Sequence, residues 1–129
     1  MAIAFAATIP GTPLGVGTLR AKMAEVAQDC GMDAEGIAAV RLAVTEAATN
    51  AVIHAYAKAE GELTVTATTH DGKLAIVIAD TGPGLVDTPD NPGLGLGLSI
   101  IASVAERLKI ISHARGTEIH MAFPCLDPA

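Results

Sequence analysis

The spacing of apolar and polar residues changes several times along the chain, and each change predicts a new element. Ile3 to Ile9 is a short, mostly apolar run that stops at a proline, which predicts a first strand. Thr12 and Pro13 then have the residue types of a helix N-cap and first helical position. Apolar residues recur every three or four positions after them, so we expect a first helix that ends near Cys30.

A second helix is predicted to begin at Asp33, whose side chain suits an N-cap. Its apolar side is made of small and β-branched residues at helical spacing, and the pattern continues to about Tyr56. These apolar positions are Val40, Val44, Ala47, Ala48, Ala51 and Ala55.

The spacing then changes to that of strands. Glu62 to His70 and Lys73 to Asp80 are rich in β-branched residues, and only Asp71-Gly72 separates them. A two-residue Asp-Gly link favours a type I′ turn, because both turn positions need a positive φ. The two runs therefore predict a β-hairpin.

The rest of the chain predicts one more helix and two more strands. After a loop dense in glycine and proline, a helix is expected from near Gly97 through Leu108. Lys109 to His113 and Thr117 to Phe123 are predicted strands. The resulting order, βααββαββ, favours a two-layer α/β sandwich with a mixed, largely antiparallel sheet and helices on one face.

Composition and charge narrow the class of protein. Of the 129 residues, 50% are apolar and 17% charged, which predicts one folded domain spanning residues 1–129 rather than a disordered chain. No apolar run reaches membrane-spanning length, and the apolar start lacks the basic flank of a signal peptide. The net charge of -6, without a Lys/Arg cluster, argues against nucleic-acid binding. Cys30 and Cys125 stand alone in the sequence, which argues against a Cys/His metal site and favours a cytoplasmic location.

Three polar features stand out from this background. Glu46, Asn50 and His54 recur every four residues and so project from one edge of the second helix. They suit a general base, an oxygen ligand for Mg²⁺ and a phosphate contact, in that order. The alternative is that all three belong to a solvated helix face.

The other two features are rich in glycine. Asp80-Thr81-Gly82-Pro83-Gly84 follows a strand, so that the carboxylate can accept a hydrogen bond from an exocyclic amine beside a flat ring; the alternative is a surface turn. Gly93 to Ser99 leads into a helix, where free backbone amides and the helix dipole favour phosphate. The alternative there is a flexible loop, although alternating leucines are unusual for one.

The order of these segments resembles a known superfamily. RLAVTEAATNAVIHAY, IADTGPG, GLGLGLSI and GTEI are similar to the conserved boxes of the GHKL ATPases, which have the Bergerat ATP-binding fold. The short chain and the TEAATNAVIHAY box look most like bacterial anti-sigma-factor serine/threonine kinases. The resemblance runs from about Val40 to Phe123.

The resemblance implies a role for each matching position. Glu46 would be the base that activates the attacking hydroxyl, and Asn50 would hold Mg²⁺ against the phosphates of ATP. Asp80 would read adenine, and Thr117 would support it through a hydroxyl or a bridging water. The remaining implied nucleotide-binding residues are His54, Gly82, Gly84, Gly93, Gly95, Leu96, Gly97 and Leu98.

Three functions remain open at this point. The first is a kinase that binds a sigma factor and phosphorylates a Ser or Thr of an antagonist protein, with a homodimer implied by the resemblance. The second is a nucleotide-gated binding module with little phosphotransfer, which the short acidic interval from Leu85 to Pro92 favours slightly because it carries no cation. The third is a histidine-kinase fragment, but the chain has no separate helix carrying a phosphoacceptor histidine.

Overall fold

A five-stranded sheet with helices on one side forms the framework of the protein. A computed structural model describes residues 2–52, 61–81, 94–113 and 116–126. In these residues the elements are, in chain order, β1 (Ala2–Pro10), α1 (Pro13–Asp29), α2 (Ala34–Asn50), β2 (Glu62–His70), β3 (Lys73–Asp80), α3 (Leu94–Val104), β4 (Arg107–His113) and β5 (Gly116–Pro124). The strands lie in the order β1-β2-β3-β5-β4, and all four pairings are antiparallel. The predicted fold class and element order are confirmed.

Local signals set the helix starts and the hairpin as expected. The Thr12 hydroxyl accepts a hydrogen bond from the amide of Gly15 at 3.1 Å, which caps α1. The Asp33 carboxylate accepts one from the amide of Gly36 at 2.8 Å and caps α2. Asp71 has a φ of 51° and the following Gly72 a φ of 75°, as a type I′ turn requires.

The predicted bounds of α3 are wrong at both ends. The helix begins at Leu94 instead of near Gly97, so packing of α3 against α2 overrides the low helix propensity of glycine. It ends at Val104, and Leu108 lies in β4 opposite Met121. Leu108 continues the helical spacing of apolar residues, but sheet pairing has already begun by then, since the amide of Glu106 donates to the carbonyl of Ala122 at 2.9 Å.

The described part of the second helix includes Glu46 and Asn50 of the predicted polar edge and stops before His54. As an α-helix it ends at Asn50, and residues 51–52 continue it as a wider π-helical turn, a form frequently found at functional sites. The expected continuation to Tyr56 lies outside the described residues. The acidic interval from Leu85 to Pro92 lies outside them as well.

The core lies between the helices and one face of the sheet. Alternate residues of β2, β3 and β5 point into it, and α1, α2 and α3 contribute the opposite side. The largest fully buried side chains are Leu19, Met23, Leu63, Leu74, Ile76, Ile78, Ile101 and Met121. The same alternation points Asp80 of β3 and Thr117 of β5 to the helix-covered face. No helix in the described ranges has the length and apolar character that a membrane span needs.

Candidate functional site

The C-terminal half of α2 carries a carboxylate and an amide one turn apart. Glu46 and Asn50 are four residues apart, so both project from the same edge of the helix. Glu46 is half-buried, whereas Asn50 is only 8% exposed and lies beside the apolar stripe of the helix. Asn50 therefore does not belong to a solvated helix face. The edge is partly accessible at Glu46 and buried at Asn50.

The ends of β3 and β5 bring a second pair together. Asp80 is the last residue of β3, and its direct partner in the antiparallel register is Thr117, the second residue of β5. Directly opposed residues in a sheet have side chains close enough to share a ligand. Thr117 is 2% exposed. A carboxylate and a buried hydroxyl thus stand side by side at one end of the sheet.

Gly116, which was not among the predicted site residues, allows the start of β5 to lie close to the end of β3. Gly116 has a φ of 149°, and a Cβ built on it would lie 2.0 Å from the carbonyl oxygen of Asp80 and 3.2 Å from the Cα of Thr81. Only glycine can adopt this backbone shape at such a close approach. Gly116 belongs to the GTEI segment, so its position was visible in the sequence. The contact with the end of β3 was not, because it joins residues far apart in the chain.

The start of α3 supplies backbone donors. Leu94, Gly95 and Leu96 are the first three residues of this 11-residue helix, so their amides have no hydrogen-bonding carbonyl within it. The helix dipole adds partial positive charge at the same end. The sequence pattern predicted that Gly95 precedes the helix and that the helix begins near Gly97. In the structure, Gly95 and Gly97 both lie inside the first turns of α3. The nearby Leu98 is partly buried against the core.

Two buried polar atoms lack a hydrogen-bond partner within the described ranges: the Nδ2 atom of Asn50 and the Oγ1 atom of Thr117. Leaving such an atom unsatisfied costs about 1–3 kcal/mol, so native proteins rarely do so without a reason. Both atoms belong to residues that the sequence analysis assigned to nucleotide binding. A ligand that supplies hydrogen bonds at these two places would remove the cost.

His54, Gly82, Gly84 and Gly93 lie outside the described residues. For Gly95, Leu96 and Gly97 the backbone is described within α3, and their roles as nucleotide contacts stay predictions. Among the described residues there is no group of three or more His, Cys, Asp or Glu side chains that could hold a metal.

Comparisons with known protein families agree with this arrangement of the candidate site. Residues 9–123 match the family of histidine kinase-like ATPase domains. The chain belongs to this family. The resemblance seen in the sequence motifs is thereby confirmed, and ATP use follows from membership of a family of ATPase domains.

Two curated relatives refine the likeness. An anti-sigma F factor from Clostridium acetobutylicum is 32% identical over 114 residues, which cover 79% of this chain and 80% of the relative. A serine-protein kinase RsbW from Bacillus cereus is 30% identical over 128 residues, which cover 88% of this chain and 79% of the relative.

Solved structures give the same result for the fold. A crystal structure of the RsbU and RsbW domains of a Mycobacterium tuberculosis protein matches with a TM-score of 0.76 and 26% identity, covering 97% of this chain. This chain spans 33% of that longer one. A blue-light-activated histidine kinase domain from Erythrobacter litoralis matches with a TM-score of 0.63 at 22% identity, over 83% of this chain and 61% of its own, which shows the fold alone.

Proposed function

We propose that the protein is an ATP-dependent serine/threonine kinase that binds a sigma factor and phosphorylates an anti-sigma-factor antagonist. The curated relatives named anti-sigma F factor and serine-protein kinase RsbW support this function. The structural observation that carries it is the pair of buried atoms on Asn50 and Thr117 that have no partner in the described part of the chain. They lie on the two elements, α2 and β5, that the family resemblance assigns to opposite parts of one nucleotide.

Glu46 is the proposed general base. Its half-buried carboxylate forms no hydrogen bond or ion pair with another residue of the described chain, so it is available to an incoming hydroxyl. It would accept the proton of a Ser or Thr hydroxyl as that oxygen attacks the terminal phosphoryl group of ATP. General bases contribute about 10²–10⁴-fold to rates.

Asn50 is the proposed protein ligand for Mg²⁺. Amide oxygen and nitrogen exchange places when the group turns by 180°, so the same buried position can present the oxygen that Mg²⁺ takes as a ligand. Mg²⁺ usually keeps waters and phosphate oxygens beside only one or two protein ligands, so a single amide fits. When bound, the ion supplies charge neutralisation at the phosphates.

The remaining groups would hold the two ends of the nucleotide. The amides of Leu94, Gly95 and Leu96 would donate to phosphate oxygens at the start of α3. Asp80 would accept a hydrogen bond from the adenine amine, and the hydroxyl of Thr117 would bond to the base or to a bridging water. Each of these groups is fixed by a strand or helix end, and phosphoryl transfer depends mainly on such positioning.

The proposed partners follow from the same assignment. A sigma factor and a small antagonist protein would bind the kinase in turn, and the proposed location is therefore the cytoplasm, where ATP and sigma factors are found. A homodimer is part of the proposal. Sedimentation velocity over a range of concentrations would test it, since a species that stays at monomer mass throughout contradicts it.

The decisive experiment is phosphotransfer from labelled ATP. The full chain is incubated with ATP, Mg²⁺ and candidate antagonist proteins encoded in the same genome, and phosphate-labelled residues are located by mass spectrometry. We expect label on a Ser or Thr of one antagonist. Glu46→Gln should lose most of the transfer rate while binding ATP normally, because a base acts only in the transition state.

Matched variants make the result specific. Glu35→Gln changes an exposed carboxylate in the first turn of the same helix and should transfer phosphate at the wild-type rate. Asn50→Ala should lose both Mg²⁺-dependent ATP binding and transfer, because a metal ligand also acts in the ground state. Tight ATP binding without label on any antagonist would contradict the kinase and favour the nucleotide-gated binding module.

A further inference from the structure

The chain's two cysteines meet at the end of the molecule away from the candidate site. Cys30 is the C-cap residue of α1 and is 4% exposed, while Cys125 follows directly after β5 and is half-buried. Both are free thiols. They are separated by most of the sequence, so nothing in their spacing indicated that they meet.

Backbone contacts hold the two segments against each other. Gly31 follows Cys30, and a Cβ built on it would lie 2.8 Å from the Cβ of Leu126, the residue after Cys125. The amide of Cys125 donates to the carbonyl of Gly72 at 2.8 Å, which anchors the segment to the β2–β3 turn. The amide of Cys30 donates to the carbonyl of Val26 at 3.1 Å. Both cysteines therefore have a fixed backbone position.

The two thiols interact with each other. Burial and, to a smaller extent, the hydrogen bond and the charge of the neighbouring Cys125 thiol together raise the pKa of Cys30 to about 12. The Cys30 thiol also donates to the carbonyl of Ala27 at 3.5 Å. Cys30 is therefore a protonated thiol at neutral pH, and Cys125 is the more accessible of the two.

A cavity leads to the accessible thiol. A space of about 420 Å³ is lined by Cys125 and Leu126 on one side and by the start of α2, including Asp33 and Gly36, on the other. A small disulfide can approach the sulfur of Cys125 from this cavity. Cys30 lies behind it, away from solvent.

We propose that Cys30 and Cys125 are an oxidisable dithiol pair that a low-molecular-weight disulfide converts into an intramolecular disulfide. The thiolate of Cys125 attacks one sulfur of the small disulfide and releases one small thiol. Cys30 then gives up its proton to the departing small thiolate as its sulfur attacks the Cys125 sulfur of the mixed disulfide, and the second small thiol is released. Two protein thiols are oxidised, one small disulfide is reduced, and the two protein protons end on the two released thiols.

The bond would join the end of α1 to the end of β5 and close a loop over most of the chain. A long closed loop restricts the unfolded state, so the oxidised protein should be more stable than the reduced one. We expect its Tm to rise by roughly 10 °C. This inference is independent of the proposed function, because both cysteines lie apart from the groups assigned to ATP.

The test is oxidation of the full, reduced chain with excess oxidised glutathione. Mass spectrometry of the folded protein should show the loss of two hydrogen atoms, and a peptide map should show Cys30 linked to Cys125. After denaturation, neither cysteine should react with an alkylating reagent. A product that stops as a glutathione adduct on Cys125, with Cys30 still open to alkylation, would overturn the proposal, as would disulfide-linked dimers alone.

Two variants assign the order of the steps. Cys30→Ala should accumulate one glutathione on Cys125, because the resolving thiol is missing. Cys125→Ser should stay unmodified while folded, because Cys30 is buried and protonated. Rapid modification of folded Cys125→Ser at Cys30 would show that Cys30 is reached without Cys125 and would contradict the arrangement. The wild-type mass measurement holds even if one variant folds poorly.

Discussion

The two ends of β5 differ in burial and in how their polar groups are satisfied, since Gly116 and Thr117 are buried whereas Pro124 is exposed and Cys125 half-buried. At its start, Thr117 lies beside Asp80 with a hydroxyl that has no hydrogen-bond partner among the described residues. Just past its end, Cys125 and Cys30 interact with each other, and Cys30 also bonds to a backbone carbonyl. A buried polar group without a partner among the described residues needs an explanation such as a bound water, ion or ligand, whereas a satisfied pair needs none beyond the chain itself.

A glycine allows close backbone approach at each end. Gly116 brings the start of β5 against the backbone of Asp80, and Gly31 brings the end of α1 against Leu126. Gly31, with a φ of 85°, also ends α1, where the amide of Met32 donates to the carbonyl of Ala27 at 3.1 Å. A Cβ on Gly116 would meet a backbone carbonyl oxygen at 2.0 Å, whereas a Cβ on Gly31 would meet the Cβ of Leu126 at 2.8 Å and the carbonyl oxygen of the same residue at 3.1 Å.

The largest expected effect on stability separates these two glycines. Gly116→Ala should lower the free energy of unfolding by about 3 kcal/mol, since the Cβ meets a carbonyl oxygen and the φ is strained. Gly31→Ala should cost less, about 1–2 kcal/mol, because its new Cβ meets the Cβ of Leu126 at 2.8 Å instead of a carbonyl oxygen at 2.0 Å, although its φ of 85° is strained as well. Urea unfolding of both variants measures the difference. Equal costs would show that β3 and β5 approach each other less tightly than described.

The next effect concerns adenine. Asp80→Asn should weaken ATP binding by about 1.5–3 kcal/mol, or roughly 10–150-fold, because a charge-assisted hydrogen bond becomes a neutral one. Calorimetry with ATP and GTP measures it, and GTP should bind weakly to both proteins. Asp71→Asn, an exposed change in the β2–β3 turn near Cys125, is the control and should bind ATP normally. Equal affinity for ATP and GTP in the wild type would remove the adenine-reading role of Asp80.

A substitution at Thr117 should raise the stability of the free protein but lower its affinity for ATP. Thr117→Val keeps the shape but removes the unpartnered hydroxyl, so the free protein should gain about 1 kcal/mol of stability. ATP affinity should fall several-fold, because a hydrogen bond to the ligand is lost. Thermal unfolding with and without ATP measures both.

A second threonine serves as the control for this change. Thr68→Val alters a half-exposed residue of β2 and should leave stability within about 0.5 kcal/mol and ATP binding unaltered. A loss of stability in free Thr117→Val would mean that the hydroxyl is already satisfied without a ligand.

The last effect is absent at neutral pH and appears only in alkali. The pKa of Cys30 is raised to about 12 in the folded protein, above its value in the unfolded chain. The stabilisation that protonated Cys30 gives the folded protein is therefore fully present at neutral pH. The free energy of unfolding then falls as the pH rises from about 9 toward 12, by at most about 1.4 kcal/mol per pH unit. Cys30→Ala should show a shallower decline than the wild type in urea unfolding at pH 9 and 10.5. Parallel declines would contradict the raised pKa.

Much of the fold could be predicted from local patterns. The caps at Thr12 and Asp33 and the turn at Asp71-Gly72 act within four residues, so sequence alone determined them. The identity and spacing of Glu46 and Asn50 likewise placed both on one helix edge. The ends of α3 were mispredicted because packing against α2 and pairing of β4 with β5 outweigh local propensity there.

The sequence by itself determined the order of elements and the residue types available for ATP chemistry. Only the tertiary structure decided that Asn50 and Thr117 are buried with atoms that no other described residue satisfies, that Gly116 must lack a side chain, and that Cys30 lies near Cys125. These properties depend on contacts between residues far apart in the chain, and burial is a property of packing that no local spacing encodes. The cysteines that look isolated in the sequence are neighbours because α1 and β5 end at the same place.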